Sequence, residues 1–393
     1  MSFVVTAADR TSFTRCRRQW DFGAATRQNL GPVPPPATGD TDRALRDALA
    51  VYYYPGMWDW DRGVRLPLVA AGLERALARQ RERCGDRAGA GWWRDQLDAG
   101  QDLLTRYFEW APTVDQFSPV LIEADYEVNV LDPVTPSAGL VSAAGTAIRY
   151  RGRIDMLAVD QHDAYWIVRH RLVDGTWTPT GELAGDEETL TACWAWEQFY
   201  LGMAITGTVY NELQLPPYPP GQGAGDQPPP ARRRWLRRRP RAAAPDAARD
   251  AVRQHEPSGG GRSIPQHRRM YARAREPEHL EAVEQRSAEG FRRTWLRRSP
   301  ADVAEAGRRL SADVAQMIRA DVDVAPEPSH ENCTPCPFRT PCQAQRAGRD
   351  AAPLLRSGYA ARPPDNLEEG RLGGGAWGTG RGAAPPKFGG RLS

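Results

Sequence analysis

The chain has 393 residues, and its 52 Lys and Arg so nearly balance 49 Asp and Glu that the formal net charge is only +3, which excludes a global basic field for nucleic acid. With 34 Pro and 37 Gly, a sizeable part is expected outside any core. No apolar run nears the roughly 18 residues of a membrane span and no charged-then-apolar leader opens the chain, so the expectation is a cytoplasmic protein with reduced thiols and no membrane contact.

In chain order, residues 12–22 read as a short helix carrying Cys16, followed by a Pro/Gly break at 31–40. From Thr41 to Trp110, Leu45, Leu49, Tyr53, Leu68, Leu73, Leu77, Leu97, Leu104, Tyr107 and Phe108 recur at threes and fours, which predicts a helical arm over 41–115. The aromatics Tyr52, Tyr53, Tyr54, Trp58 and Trp60 within it read as core, with base stacking as the alternative. Alternating stretches at 120–130, 148–159 and 164–172 predict strands. A long helix is expected from Asp186 to about Thr206, then a strand at 208–213. Residues 214–249 form a Pro- and Arg-rich insertion whose 231–240 run sets six arginines around Trp235, a solvated loop or a phosphate clamp. Stretches at 252–257 and 290–298 read as edge strands, 300–317 as an amphipathic helix, and 354–393 as a disordered Gly-rich tail. Of all the cations only Lys387, in that tail, is a lysine.

Four cysteines stand near the two ends: Cys16, and then Cys333, Cys336 and Cys342 as C-x2-C-x5-C, stiffened by Pro335, Pro337 and Pro341. Thiolates grouped this way usually hold a metal. Structural zinc and an iron cluster both accept four cysteines, and the spacing with one distant ligand favours iron; a disulfide pair is the remaining alternative. Cys84 and Cys193 have no second thiol at ligand spacing.

Together the two ends resemble the RecB-like branch of the PD-(D/E)XK nuclease superfamily, in which one early cysteine and a late C-x2-C-x5-C hold a 4Fe-4S cluster, as in AddB-type helicase-nucleases and CRISPR-associated RecB-like exonucleases. The resemblance covers about 3–30, 120–213 and 285–345. It implies an α/β fold: a restriction-endonuclease-like core at 118–213 and 250–345, with a mixed sheet flanked by helices, an N-terminal helical arm, and a cysteine cluster joining the chain ends.

The family carries G-x-x-D on one strand, D/E-x-K on the next and Q-x3-Y on a following helix. Gly152-Arg153-Ile154-Asp155 matches the first, which puts Asp155 at a metal-binding carboxylate. The second reads Arg169-His170-Arg171, with arginines for the second carboxylate and the lysine. The third reads Trp196 in the Gln position before Tyr200, with Gln198 nearby. Family chemistry needs two carboxylates on Mg²⁺ and a lysine that orients or deprotonates water. An arginine beside that site repels the ion, so Mg²⁺ is expected to bind poorly. Asp155 could still serve with a migrated carboxylate, Glu187 or Glu188, although acids in a first helical turn usually complement the dipole.

The leading expectation is nucleic-acid binding, DNA first, by a degenerate nuclease domain, with Arg169, His170, Arg171 and Tyr200 contacting the nucleic acid. For His170 a packing role is the other reading. An active metal-dependent nuclease and a protein-interaction scaffold with a purely structural cluster are the alternatives, and a helicase is the protein partner the resemblance implies.

Overall fold

The computed structural model describes residues 3–33, 40–58, 60–84, 88–173, 175–215 and 283–362. Nearly all of the expected insertion with its 231–240 arginine run, the strand expected at 252–257, and Lys387 lie outside the described residues. The fold is α/β, with a mixed sheet flanked by helices. No helix among the described residues is long and apolar enough to cross a membrane. The chain divides into two compact units: Met1–Leu97, Ile122–Arg153 and Arg308–Ser393 in unit one, and Asp98–Leu121 with Ile154–Gly307 in unit two.

In unit one, β1 (Phe3–Thr6) lies parallel to the first half of β4 (Ile148–Asp160), with Phe3 opposite Ile148. Thr6 starts α1 (Ala7–Arg15) through a capping box: its hydroxyl accepts the Asp9 N–H at 3.1 Å, and the Asp9 carboxylate accepts the Thr6 N–H at 2.9 Å. Cys16 then interrupts the expected single helix. It is extended (φ −164°, ψ 108°) between α1 and α2 (Arg17–Gly23), so it stands at a corner that Phe13 and Trp20 close edge to face at 5.0 Å.

The helical arm is α3 (Thr41–Tyr52), α4 (Arg62–Cys84) and the start of α5 (Gly89–Val114). Leu45, Ala48 and Leu49 of α3 and Val69, Leu73 and Leu77 of α4 are buried where the two helices pack. Tyr53 stacks on Trp58 at 5.4 Å and Arg65 lies over Tyr52 at 4.6 Å, so these aromatics are core, while Tyr54 and Trp60 remain exposed. In β3 (Phe117–Asn129), Glu123 takes a left-handed φ of 47° and its carboxylate meets Arg43 at 3.0 Å and Arg153 at 3.4 Å. Strand β2 (Leu30–Pro32) pairs antiparallel with β9 (Tyr359–Ala361), Leu30 opposite Ala361. Residues 354–361, expected in a disordered tail, are therefore structured, the first of them in the last helix, Ala352–Gly358.

Unit two carries the second half of β4, β5 (Tyr165–Val173), β6 (Ile205–Gln214), β7 (Val283–Ala288) and β8 (Phe291–Arg297), in the order β4-β5-β6-β8-β7. Only β5 and β6 are parallel in this stretch. A parallel pair needs a crossover, here α6 (Thr180–Ala184) and α7 (Glu187–Phe199). Asp186 caps α7, its carboxylate accepting the Thr189 hydroxyl at 2.7 Å. The helix ends at Phe199, short of the expected Thr206, because Tyr200 leaves the helical backbone and Gly202 turns the chain at φ 96° into β6. Strand β8, expected at an edge, is interior between β6 and β7, where its Phe291, Trp295 and Leu296 are covered on both sides.

Arg293 on β8 is a fully buried charge of unit two. It pairs with Asp115, donates to Tyr107 Oη at 2.9 Å and Asn211 Oδ1 at 3.3 Å, and lies against the Trp110 and Phe117 rings at 5.3 and 5.2 Å. Removing one partner of such a pair leaves a buried charge uncompensated. Arg293→Met should therefore cost about 3–5 kcal/mol in urea unfolding, with part recovered in Arg293→Met/Asp115→Asn; a single variant as stable as the parent would contradict this account of the core.

Candidate functional site

The antiparallel register of β4 and β5, Met156 opposite Val168, brings Asp155 beside Arg169 one step further on. Asp155 is only 7% exposed and its Oδ2 accepts the His170 backbone N–H at 2.8 Å. Arg169 reaches Glu188 in the first turn of α7, Nη2 to Oε1 at 2.6 Å. Burial by itself would lower the Arg169 pKa, but Asp155, Glu188 and Asp186 together hold it above the ordinary arginine value. A permanent cation thus stands among three carboxylates.

Gly152, the glycine of the G-x-x-D stretch, has a packing reason: a Cβ there would run into the Tyr126 phenol. Arg171 lies on the same face of β5 as Arg169. It is half-buried and, among the described residues, makes no side-chain hydrogen bond or ion pair.

His170 faces the other way, which corrects the expectation that it contacts phosphate. It is 4% exposed, and its Nδ1 accepts from Asn211 Nδ2 at 2.9 Å. The same Asn211 nitrogen meets Tyr107 Oη at 2.9 Å, while Asn211 Oδ1 is taken by Arg293, which fixes the amide's orientation. The packing reading of His170 is the one the geometry supports.

Tyr200 also stands apart. It lies twelve residues beyond Glu188 along α7, roughly 18 Å at the helical rise, and is 41% exposed against Trp196 and Phe199 at 5.0 and 4.9 Å. Trp196, at the family's Gln position, is buried and donates Nε1–H to Met203 Sδ at 3.1 Å. The structure therefore gathers Asp155, Arg169 and Glu188, and leaves His170 and Tyr200 outside that group. Sequence reasoning missed Tyr107, Asp115, Asn211 and Arg293. The signal was present in β8, where Arg293 alternates with Phe291 and Trp295 and so shares their buried face.

The second candidate lies wholly in unit one. Cys16, Cys333, Cys336 and Cys342 line one cavity of about 40 Å³, room for more than one water-sized body. The helix α1–α2 corner presents Cys16. On the other side, Ser329 caps a short turn ending at Cys333, and the helix Arg339–Arg346 carries Cys342. Direct contacts hold the two sides together: Arg15 Nε to Asn332 Oδ1 at 3.3 Å, Asn332 Nδ2 to the Arg15 carbonyl at 3.0 Å, Arg18 Nη1 to Gln345 Oε1 at 2.8 Å, and the Phe22 and Phe338 rings at 5.3 Å.

None of these four thiols is in a disulfide. Burial pushes the Cys336 thiol up, and the three neighbouring thiols, Cys16, Cys342 and Cys333, push it further. Cys342 is raised by burial and by Cys16 and Cys333, against a downward pull from Arg18. Four thiols around one cavity are soft donors of the type that metal groups take. Among the described residues no three His, Cys, Asp or Glu side chains are arranged to grip a single metal ion; the thiols line a cavity rather than meet at a point. Compared with known protein families the chain matches no family model, and compared with curated proteins it matches none.

Cys193 belongs to neither group. It is fully buried on α7, 3.9 Å from the Thr208 hydroxyl, and burial pushes its thiol up to about 12. It should stay protonated at neutral pH and resist iodoacetamide in the native protein, while the half-buried Cys84 is labelled. Mass spectrometry of the peptides reads this directly, and equal labelling of both would show that the α7 packing is wrong.

Proposed function

We propose that this protein binds nucleic acid through a RecB-like PD-(D/E)XK core in which an arginine has taken over the place of the catalytic metal, and that its four cysteines hold a 4Fe-4S cluster. The observation that carries the first part is the Arg169–Glu188 bond beside Asp155. Mg²⁺ would have to displace a cation already paired with the carboxylates, against a repulsion of several kcal/mol at a few ångströms. A guanidinium does not deprotonate at neutral pH, so Arg169 and Arg171 can position a phosphate but cannot take a proton from water. Binding without hydrolysis is the chemistry that remains, with Arg171 the cation available to a phosphate.

The second part rests on the four thiols around one cavity. When bound, a cluster supplies a coordinate tie between the Cys16 corner and the C-terminal knuckle. Zinc is the competing occupant, and thiols spread around a cavity suit a polynuclear group better than one ion held at about 2.3 Å from every sulfur.

One observation favours an active nuclease instead: Glu188, the candidate migrated carboxylate, does reach the Asp155–Arg169 pair. That reading requires Arg169 to swing away when metal enters. Fluorescence anisotropy with a labelled DNA duplex separates the two. Binding should persist in EDTA and weaken linearly with log salt, and Arg171→Ala should weaken it several-fold while reducing the salt slope by about 1. Mg²⁺-dependent cleavage that disappears in Asp155→Ala would establish the active reading; neither binding nor cleavage would leave only a scaffold. For the thiols, anaerobic protein should carry iron and sulfide with visible absorption, retained in Cys193→Ala and lost in Cys16→Ser.

A further inference from the structure

The register across unit two sets three charges in a row on one face of the sheet: Arg171 of β5 lies opposite Glu212 of β6, and Glu212 opposite Arg292 of β8. Glu212 is fully buried and both its oxygens are taken, Oε2 by Arg292 Nε at 2.8 Å and Oε1 by the Thr178 N–H at 3.2 Å. The acid facing Arg171 is thus engaged by its other neighbours. Arg171 is left half-buried, with no ion pair among the described residues, in a row of two arginines and one glutamate. One step along β5, Arg169 stands among three carboxylates, so an anion is drawn to the Arg171 end. The loop after β5 crosses this row. Arg292 also donates to the Thr178 carbonyl, so both backbone groups of Thr178 are held, and the adjoining Trp177 ring lies against the Arg292 guanidinium at 5.4 Å. Trp177 is half-buried, which leaves a fixed ring with part of its surface open to solvent. The backbones of β5 and β8 are about 10 Å apart, two strand spacings, a gap that an arginine side chain, a phosphate and a base span together.

We propose that Trp177 stacks on an unpaired base while Arg171 holds the adjoining phosphate, so that the nucleic acid this site takes is single-stranded. The inference rests on the nucleic-acid reading and adds to it the residue that meets the base. In a duplex each base is paired and stacked on its neighbours, so its ring face is closed to a side chain unless the base leaves the helix. A single strand offers that face at no such cost, and because every base has one, stacking tolerates any sequence. Arg292 is a positioning residue here: already paired with Glu212, it holds Trp177 and Thr178 in place.

The test is fluorescence anisotropy on the full-length protein in EDTA, with two labelled strands of equal length: an oligothymidylate, and the same sugar-phosphate backbone carrying abasic residues throughout. The parent should bind the thymidylate strand roughly ten-fold more tightly, the size of one base stacked on an aromatic ring. Trp177→Leu should remove that preference while leaving affinity for the abasic strand and for a duplex unchanged, and Trp177→Tyr, which keeps a ring, should restore it. A Trp177→Leu protein with the parent's preference would overturn the inference. So would one that loses affinity for both strands alike, since Trp177 would then serve only to hold the loop. Binding of DNA by the parent with no preference between the two strands would overturn this inference and leave the nucleic-acid reading standing; no binding to either strand or to the duplex would overturn that reading, and the inference with it.

Discussion

The constraint at the centre of unit two is a permanent cation held between a strand and the crossover helix: the Arg169 guanidinium on β5 bonds Glu188 in the first turn of α7 and stands in the field of Asp155 and Asp186. Strand and crossover helix are tied together by one charge, and the Asp155 carboxylate on β4 accepts the His170 N–H of β5 beside it. A divalent ion in the same position would come and go with its concentration. A guanidinium whose pKa is held above its already high ordinary value never leaves its charge behind, so the pocket is permanently neutralised from within. On the proposed reading a phosphate would meet Arg171 first, since Arg169 is already engaged with Glu188.

The same use of arginine recurs on β8 and just after it. Arg292 pairs with the buried Glu212, Arg293 with Asp115, and Arg298 donates to the Leu183 carbonyl at 2.7 Å and Tyr210 Oη at 2.8 Å. Each guanidinium is surrounded by several acceptors, as its five N–H groups require. Lysine, a compact and strongly hydrated ammonium, would be costlier to bury in these places. These three arginines of the described residues are thus matched to acids, carbonyls and a phenol inside unit two rather than displayed.

What was legible in the sequence follows from short-range periodicity. The alternation in 148–159 and 164–172 located β4 and β5. The helical arm was legible for the same reason, its leucines recurring at helical spacing. The interior position of β8 was not, because pairing partners over eighty residues apart leave no local mark. For His170 two readings stood open, and the period of two, which puts it on the opposite face from Arg169 and Arg171, agrees with the packing one, its ring meeting Asn211 in the buried layer. Tyr200 was grouped with the site by motif spacing, and the helical rise separates it. The cysteine quartet was picked out by residue type and spacing, and the structure sets the four thiols around one cavity.

The four thiols are brought to one cavity by ordinary contacts. Cys16 and Cys333 are 317 positions apart, and bringing them together by metal alone would carry a large loop-closure entropy. Here Arg15–Asn332, Arg18–Gln345, Phe22–Phe338 and the β2–β9 ladder already close that loop without using a sulfur. A metal group in the cavity therefore adds its binding free energy to a corner that the polypeptide assembles by itself. Its contribution to stability is then set by its own affinity and supply. A centre of the proposed kind would differ from a zinc finger, whose fold appears only with the ion, because here the contacts around the cavity do not use a sulfur.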